Sequence, residues 1–274
     1  MQAMNRLEEL MKQKDIGYRV FLTEGPGHAT QIAAELAEKN DVHAVVAVGG
    51  DGTASEVAAG LCGTGKAMGI IPAGTGNDFI KSVGIPNEPG RALELLLSRQ
   101  PSDTDTGTVN GEFFLNVCGT GFDVTVLDYA ESEKERHRGL TPYLIGLIKA
   151  ISHYRSVELK VTADGKTEEG RYLVCSIANG RYIGGGIPIC PAADPTDGKL
   201  DLVLISHRAR WQIPFYLPGL MLSRDLKFRI TTHRRVSEIL IEGKNLRINI
   251  DGAIRPMERV EFRIKPASLR LIRA

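Results

Sequence analysis

The feature that most constrains the fold is an apolar strand pattern that breaks into glycines and continues as a helical pattern. The run Ala44-Val45-Val46-Ala47-Val48 leads into Gly49-Gly50-Asp51-Gly52-Thr53, and residues 55–61 then have helical spacing. A strand-to-helix turn of this kind is typical of a parallel sheet covered by helices. Glycines at the turn allow the backbone to approach a bound group closely.

The first hundred residues repeat this alternation of strand and helix patterns. Short apolar runs bounded by Gly or Pro predict strands at residues 18–22, 43–48 and 68–71. Apolar residues at helical spacing predict helices at residues 28–40, 53–61 and 89–98. We therefore expect an open α/β domain with a parallel sheet over residues 1–103.

After Pro101 the pattern changes to short strands joined by tight turns. Asn110-Gly111 and Asp164-Gly165 are strong hairpin signals between strand-like runs. The predicted strands are residues 104–109, 113–117, 157–162, 171–178, 200–206, 238–242, 246–250, 259–264 and 269–272, with helices at 141–154 and 210–222. This pattern predicts a mainly antiparallel β-sandwich over residues 104–274, with the last strand a candidate to return to the first domain.

Composition excludes several classes of function. A formal net charge of +1 provides no general attraction for nucleic acid. The four cysteines are far apart and form no C-x-x-C pair, which indicates neither a zinc knuckle nor a disulfide framework. No apolar run approaches the ~20 residues that span a bilayer. We expect a cytoplasmic protein that touches the inner face of the membrane at most peripherally, and a homodimer is left open.

The turn after the second predicted strand has the chemistry of a phosphate site. Free backbone N–H groups and the positive end of the helix dipole would face an anion there. The spacing fits neither G-x-G-x-x-G, which would need glycine at Ser55, nor a P-loop, which would need Ser or Thr at Ala67. Asp51 would repel a triphosphate unless a divalent cation lies between them or the carboxylate accepts a proton. The alternative is a generic Gly-Asp-Gly turn.

A second glycine loop, Pro72-Ala73-Gly74-Thr75-Gly76-Asn77-Asp78-Phe79, follows the next predicted strand. Because the carboxyl ends of neighbouring parallel strands meet at one edge of a sheet, the two loops should form two walls of one cleft. Thr75 and Asn77 offer hydrogen-bond donors, and Asp78 offers a second carboxylate. Helix capping by Asn77 or Asp78 is an additional role that does not exclude binding.

Four motifs together resemble the bacterial diacylglycerol-kinase-like lipid kinases. They are the two glycine loops, Asn116-Val117-Cys118-Gly119-Thr120-Gly121-Phe122-Asp123, and Ala178-Asn179-Gly180-Arg181-Tyr182-Ile183-Gly184-Gly185-Gly186. Their order and spacing also match, and the resemblance runs from about Asp15 to Leu271. The first motif alone is less specific, because NAD kinases and sphingosine kinases carry a similar one.

The resemblance implies that ATP binds between the two domains and that a lipid hydroxyl accepts the phosphoryl group. The residues that it places around ATP are Thr23, Gly49, Gly50, Asp51, Gly52, Thr53, Ser55, Glu56, Gly74, Thr75, Gly76, Asn77 and Asp78. It also implies that a Mg²⁺ ion is held by the turn from Asp194 to Lys199, through the Asp197 carboxylate and backbone oxygens near Asp194 and Lys199. The alternative is a plain surface turn before a strand.

The chain departs from the family pattern at two places. Family members usually open with a strand and an Asn-Pro-x-Ser-Gly turn, whereas this sequence starts with a helical pattern at residues 5–14. We therefore expect either an upstream start or fewer contacts with ATP. Family members also have Asp-Gly-Glu where this chain has Asp251-Gly252-Ala253, so the usual glutamate base is absent. Asp51 and Asp251 are the remaining candidate bases, and the alternative for Asp251 is a hairpin turn.

Residues 210–222 are a candidate membrane contact. They contain the only tryptophan, Trp211, among large apolar residues, and Arg208, Arg210 and Arg224 border them. An aromatic helix with basic flanks can lie at an anionic membrane surface. The alternative is a helix that packs on the sandwich core.

These patterns favour an ATP- and Mg²⁺-dependent lipid kinase, with diacylglycerol as acceptor and phosphatidic acid as product. A kinase of another hydroxyl acceptor, such as a sphingoid base or NAD, is the alternative among enzymes. The third reading is a catalytically weakened nucleotide-binding regulatory protein, which Ala253 and the missing opening turn support.

Overall fold

The computed structural model describes residues 9, 11–12, 15–133, 141–221 and 230–274. The first domain alternates helices and strands, in the order α1 (His28–Ala37), β1 (Ala44–Gly49), α2 (Asp51–Leu61), β2 (Ala67–Pro72), α3 (Asp78–Ser82) and α4 (Pro89–Ser98). Strands β1 and β2 are parallel. Helices α1 and α2 pack closely where Gly60 has no side chain. A Cβ at Gly60 would lie 2.4 Å from the carbonyl oxygen of Thr30.

The remainder is dominated by antiparallel strands with helices inserted between them. The elements are β3 (Pro101–Val109), β4 (Glu112–Phe114), β5 (Val117–Gly121), α5 (Phe122–Glu133), α6 (Thr141–His153), β6 (Val157–Ala163), β7 (Lys166–Ala178), β8 (Leu200–Ser206), a 3₁₀ turn (Arg210–Gln212), α7 (Ile213–Met221), β9 (Thr231–Val236), β10 (Glu238–Ile250) and β11 (Ala253–Ile272). The end of β11 runs parallel to β2, so the chain returns to the first domain.

The described strands form one continuous sheet with the order β1-β2-β11-β10-β5-β7-β8-β9, and β3, β4 and β6 pair beside this path. Separate apolar clusters lie on the two domains. One joins the helices of the first domain to β1 and β2, and another joins the facing sides of β6, β7, β8, β10 and β11. The predicted fold class, an α/β domain followed by a β-rich sandwich, is confirmed.

The predicted hairpins are also confirmed. Asn110-Gly111, Asp164-Gly165 and Asp251-Gly252 are two-residue turns with positive φ at both positions, as such turns require. Two pairs of predicted strands are each one continuous strand in the structure. Strand β10 runs through residues 243–245 and β11 runs through residues 265–268, each with a register shift at that point. The segment 210–222 begins with a 3₁₀ turn before α7, and Leu222 and Arg224 lie outside the described residues.

The strand predicted at residues 18–22 is wrong. The segment pairs with no strand in the described part of the chain, and its apolar side chains are exposed, with Leu22 at 83%. An extended segment is stable as a strand only when a neighbour accepts its backbone hydrogen bonds and covers one face. The helix predicted at residues 5–14 lies mostly outside the described residues. No helix among the described residues is long and apolar enough to cross a membrane.

Candidate active site

The two glycine loops lie side by side at the carboxyl ends of β1 and β2. Gly49 is opposite Pro72 in the sheet, and the backbone N–H of Ala73 donates to the carbonyl oxygen of Gly49 at 2.8 Å. A Cβ built on Gly74 would lie only 2.4 Å from the Cα of Gly50. The two loops are therefore in direct backbone contact, as the sequence predicted for loops that follow neighbouring parallel strands.

Helix α2 begins at the first of these two loops, with Gly50 as its N-cap. Gly50 at the N-cap is extended and has no side chain that could cap the first N–H groups of the helix. Gly52, in the first turn, and Thr75, on the second loop, are both exposed. Backbone donors at a helix start suit a phosphate group.

Asp51 lies in the first turn of α2, where its carboxylate joins the two loops. One oxygen accepts hydrogen bonds from the backbone N–H groups of Asp78, at 2.6 Å, and Phe79, at 3.2 Å. Burial raises the pKa of Asp51, and the nearby Asp78 carboxylate raises that pKa further. The second oxygen is close to Gly76, because a Cβ there would lie 2.9 Å from it.

Asp78 connects the second loop to Lys81 and to the glycine-rich segment 184–186. Its carboxylate accepts from the Lys81 ammonium and from the backbone N–H of Gly185, both at 2.8 Å. Lys81 also donates to the carbonyl oxygen of Gly76 at 2.9 Å. Two carboxylates and one ammonium leave a net negative charge, and hard oxygen ligands of this kind fit Mg²⁺. The sequence motifs did not indicate Lys81, although its i,i+3 spacing from Asp78 was the available signal.

Asn77 keeps the second loop closed. It adopts the left-handed backbone conformation with φ 50°, and its side chain bonds both the N–H and the carbonyl oxygen of Gly74. Its amide also donates to the Asn87 side chain at 2.8 Å. Asn77 is 6% exposed, so its described role is to shape the loop.

Three other residues predicted around ATP have different surroundings. Both Glu56 oxygens accept backbone N–H groups at the start of α1, from Gly27 and Ala29. The Ser55 hydroxyl donates to Asp251 at 2.7 Å. Thr23 is exposed in the segment without secondary structure before α1. Their contact with ATP stays a prediction, and Glu56 and Ser55 clearly also hold elements together.

Asp251 is bonded through both carboxylate oxygens. One accepts from the Leu115 N–H and the Ser55 hydroxyl, both at 2.7 Å, and the other accepts from the N–H groups of Asn116 and Val117. Burial raises the pKa of Asp251. The residue therefore ties the β10–β11 turn to the segment before β5 and to α2. Its role as base stays a prediction. The Asp51 carboxylate accepts two of the hydrogen bonds described here, whereas the Asp251 carboxylate accepts four.

Asp123, at the start of α5, is an ionisable group at the end of the third sequence motif. Burial raises the pKa of Asp123 to about 6. Hydrogen bonds from the Val124 N–H and the Asn249 side chain lower this pKa, but by less than burial raises it. Its Oδ1 atom is buried and accepts no hydrogen bond from the described residues. The carboxyl group is therefore more costly to ionise in the folded protein than in the unfolded chain.

We expect Asp123→Asn to become increasingly stabilising relative to the native chain as pH rises. Because the pKa of Asp123 is higher in the folded than in the unfolded chain, its contribution to the free energy of unfolding is full below pH 3.8. That contribution is lost as pH rises through about 6. The difference in unfolding free energy should grow by about 2–3 kcal/mol between pH 4 and pH 7.5. Urea denaturation of both proteins across this range measures it, and a difference that stays constant with pH contradicts the prediction.

The turn predicted to hold Mg²⁺ is closed by its own hydrogen bonds. Asp194 accepts from the backbone and hydroxyl of Thr196, and Asp197 accepts from the Lys199 N–H at 3.0 Å. Burial raises the pKa of Asp197, although Arg235 lies 3.5 Å from its second oxygen. The oxygen atoms of this turn are ligands that suit a hard cation. The Lys199 ammonium donates a hydrogen bond to the Ser237 hydroxyl. Lys199 could therefore contribute to a cation site only through its backbone carbonyl oxygen.

Comparison with known proteins assigns a family to both parts of the chain. Residues 1–109 match the diacylglycerol kinase catalytic domain, and residues 116–273 match the YegS C-terminal NAD kinase beta sandwich-like domain. A Pseudomonas putida protein named "Probable lipid kinase YegS-like" is 32% identical over 255 residues, which cover 92% of this chain and 84% of that protein.

A Mycobacterium tuberculosis protein named "Diacylglycerol kinase" is 31% identical over 264 residues, covering 93% of this chain and 84% of that protein. The crystal structure of a "putative diacylglycerol kinase" from Bacillus anthracis superposes with a TM-score of 0.77 at 25% identity, covering 93% of this chain and 86% of that one. The resemblance inferred from the four motifs is confirmed, and the chain belongs to the diacylglycerol-kinase-like family of lipid kinases, with a YegS-type C-terminal domain.

Proposed function

We propose that the chain transfers the γ-phosphate of ATP to the hydroxyl group of diacylglycerol and forms phosphatidic acid. The observation that carries this proposal is the contact of the two glycine loops, which sets Asp51 and Asp78 beside the open start of α2. Membership of a lipid kinase family supports a lipid as acceptor. The name of the mycobacterial relative supports diacylglycerol in particular.

In this proposal the backbone donors of both loops bind the phosphates and align the γ-phosphorus with the acceptor. The lipid oxygen bonds to that phosphorus, the bond to the bridging oxygen of ADP breaks, and Asp51 takes the hydroxyl proton. Lys81 offsets negative charge at the second loop. Bound Mg²⁺, held by Asp51 and Asp78, would supply further charge neutralisation.

The test is phosphoryl transfer by the purified full chain from γ-labelled ATP with Mg²⁺. Separate reactions contain detergent micelles with diacylglycerol, micelles with a sphingoid base, NAD, or no acceptor, and products are separated by thin-layer chromatography. We expect label in phosphatidic acid alone. Label only in the sphingoid base or NAD establishes the alternative acceptor. Tight ATP binding with no labelled product overturns the kinase proposal in favour of a regulatory protein.

The same proposal includes transient contact with the membrane through the 3₁₀ turn and α7. Ile213 is buried in an apolar cluster that includes residues of α6 and β8. Trp211 and Phe215 are 70% and 74% exposed and pack edge-to-face on each other. The Arg208 guanidinium lies 6.0 Å from the Tyr216 ring, beside this aromatic pair. One face therefore packs on the protein, and the other offers aromatic and basic groups to an anionic surface.

We expect Trp211 emission to shift to shorter wavelength when vesicles containing anionic phospholipid are added. Trp211 is the only tryptophan, so the signal reports this surface alone. Phe215→Ser should weaken vesicle binding several-fold, because it removes about half of the exposed aromatic pair. Leu97→Ser, which changes an exposed leucine on α4 of the other domain, serves as the control. Equal binding by both variants in a co-sedimentation assay argues against this contact.

A further inference from the structure

Three metal-binding side chains from separate segments meet in the second domain. They are Cys190, in the loop that follows the glycine-rich segment 184–186, Asp201 on β8, and His233 on β9. One ligand atom from each lies within 4.8 Å of the other two, in the only such group found among the described residues. Cys190 and Asp201 are 2% and 1% exposed, and the His233 side chain is 24% exposed. The group is thus internal but reachable from solvent through the histidine.

The Asp201 carboxylate has an unfilled bonding position in this group. Its Oδ1 atom contacts His233 Nε2 and lies 4.0 Å from Arg235 Nε. Its Oδ2 atom is buried and accepts no hydrogen bond from the described residues. A buried carboxylate oxygen without a donor is costly, and coordination to a cation is one of the few ways to offset that cost.

We propose that Cys190, Asp201 and His233 form a binding site for a zinc-class divalent ion. Because the three atoms are at most 4.8 Å apart, some point lies within about 2.8 Å of all of them, so small side-chain movements reach zinc bond lengths of about 2.0–2.3 Å. Cysteine, histidine and carboxylate are the three ligand types that zinc takes in proteins. A water molecule completes a tetrahedral shell, and the thiol proton is released to solvent on binding.

This site differs in chemistry from the turn at residues 194–199. That turn offers only oxygen donors, which suit Mg²⁺, whereas a thiolate and an imidazole select a softer ion. Arg235 lies between the two places, 3.5 Å from Asp197 and 4.0 Å from Asp201. The zinc-class ion links β8, β9 and the loop before them, so its binding stabilises the fold of this sheet edge.

The test uses the full chain, stripped with a chelator and titrated with Co²⁺ as a spectroscopic probe. We expect one equivalent to bind, with the intense near-ultraviolet band of a thiolate–cobalt bond, and Zn²⁺ but not millimolar Mg²⁺ to displace it. Cys190→Ser should abolish that band. His233→Gln should lower the affinity for Co²⁺ by at least about tenfold, since it removes one of three protein ligands. The control Cys62→Ser changes a partly exposed cysteine outside the group and should bind like the native chain.

Thermal unfolding provides a second readout that does not depend on the cysteine variant folding. Zn²⁺ should raise the melting temperature of the native chain and of Cys62→Ser by the same amount, and should raise that of His233→Gln by less. Absence of a thiolate–cobalt band in the native chain overturns the proposal. So does an equal band in Cys190→Ser, or an equal rise in melting temperature with and without His233.

Discussion

Asp51→Asn should reduce phosphoryl transfer by about 10²–10⁴-fold, since it removes the candidate proton acceptor and a charge that faces the phosphates. Asparagine retains an oxygen that can accept the N–H groups of Asp78 and Phe79, so the two loops should stay joined. The loss should therefore appear as a fall in kcat without a fall in melting temperature. Initial rates with γ-labelled ATP and thermal unfolding measure the two quantities separately.

The sign of the effect on ATP binding is a sharper test of the electrostatics. Without Mg²⁺, Asp51→Asn should bind ATP more tightly than the native chain, because a carboxylate that repels the phosphates is gone. With Mg²⁺ the order should reverse, because a ligand for the ion is lost. Asp41→Asn, which removes an exposed carboxylate paired with Arg19, should change neither affinity. Calorimetry that shows the same direction in both conditions contradicts the arrangement.

Gly74→Ala should damage both the fold and the reaction, because the added Cβ would lie 2.4 Å from the Cα of Gly50 and 2.8 Å from Asn77 Oδ1. Neither contact can be relieved by turning an exposed side chain. We expect a loss of about 1–3 kcal/mol in unfolding free energy. Separation of the loops by about 1 Å should also lower kcat/KM by roughly 10²-fold.

Gly52→Ala is the matched control for stability. It adds the same methyl group to the other glycine loop, at a position where a Cβ meets nothing within 4 Å. Since Ala is the better helix former, this variant should be as stable as the native chain or more stable by about 0.5–1 kcal/mol. If the two alanine variants unfold at the same urea concentration, contact between the loops does not constrain Gly74.

Local patterns predicted those elements whose burial follows a simple period. The bounds predicted for residues 89–98 and 200–206 match α4 and β8, because an amphipathic helix and a mostly apolar strand are visible in the sequence itself. Helix α5 was not predicted, since its sequence carries β-branched and acidic residues and little amphipathic contrast. It is stabilised instead by packing against α6. The false strand at residues 18–22 has the opposite cause, a good local pattern without a partner.

The same distinction between local patterns and long-range contacts applies to the residues of the candidate site. Asp51, Asp78 and the two glycine loops could be identified because backbone conformation and anion binding demand particular residue types at short spacing. Lys81 was identified from its contacts with Gly76 and Asp78, since i,i+3 spacing alone does not distinguish a site residue from an ordinary helix-surface pair. The four bonds to Asp251 join residues up to 196 positions apart in sequence, so no local pattern reports them.

The sequence by itself determined the family, the two-domain order and the loops at the ends of β1 and β2, because each depends on residues that are neighbours in the chain. Its dispersed cysteines form no C-x-x-C pair, so the sequence alone indicated no zinc knuckle. Only the tertiary structure placed Cys190 beside Asp201 and His233. The physical reason is that ligand geometry depends on which strands pair and in what register, and that is decided by burial across the whole sheet.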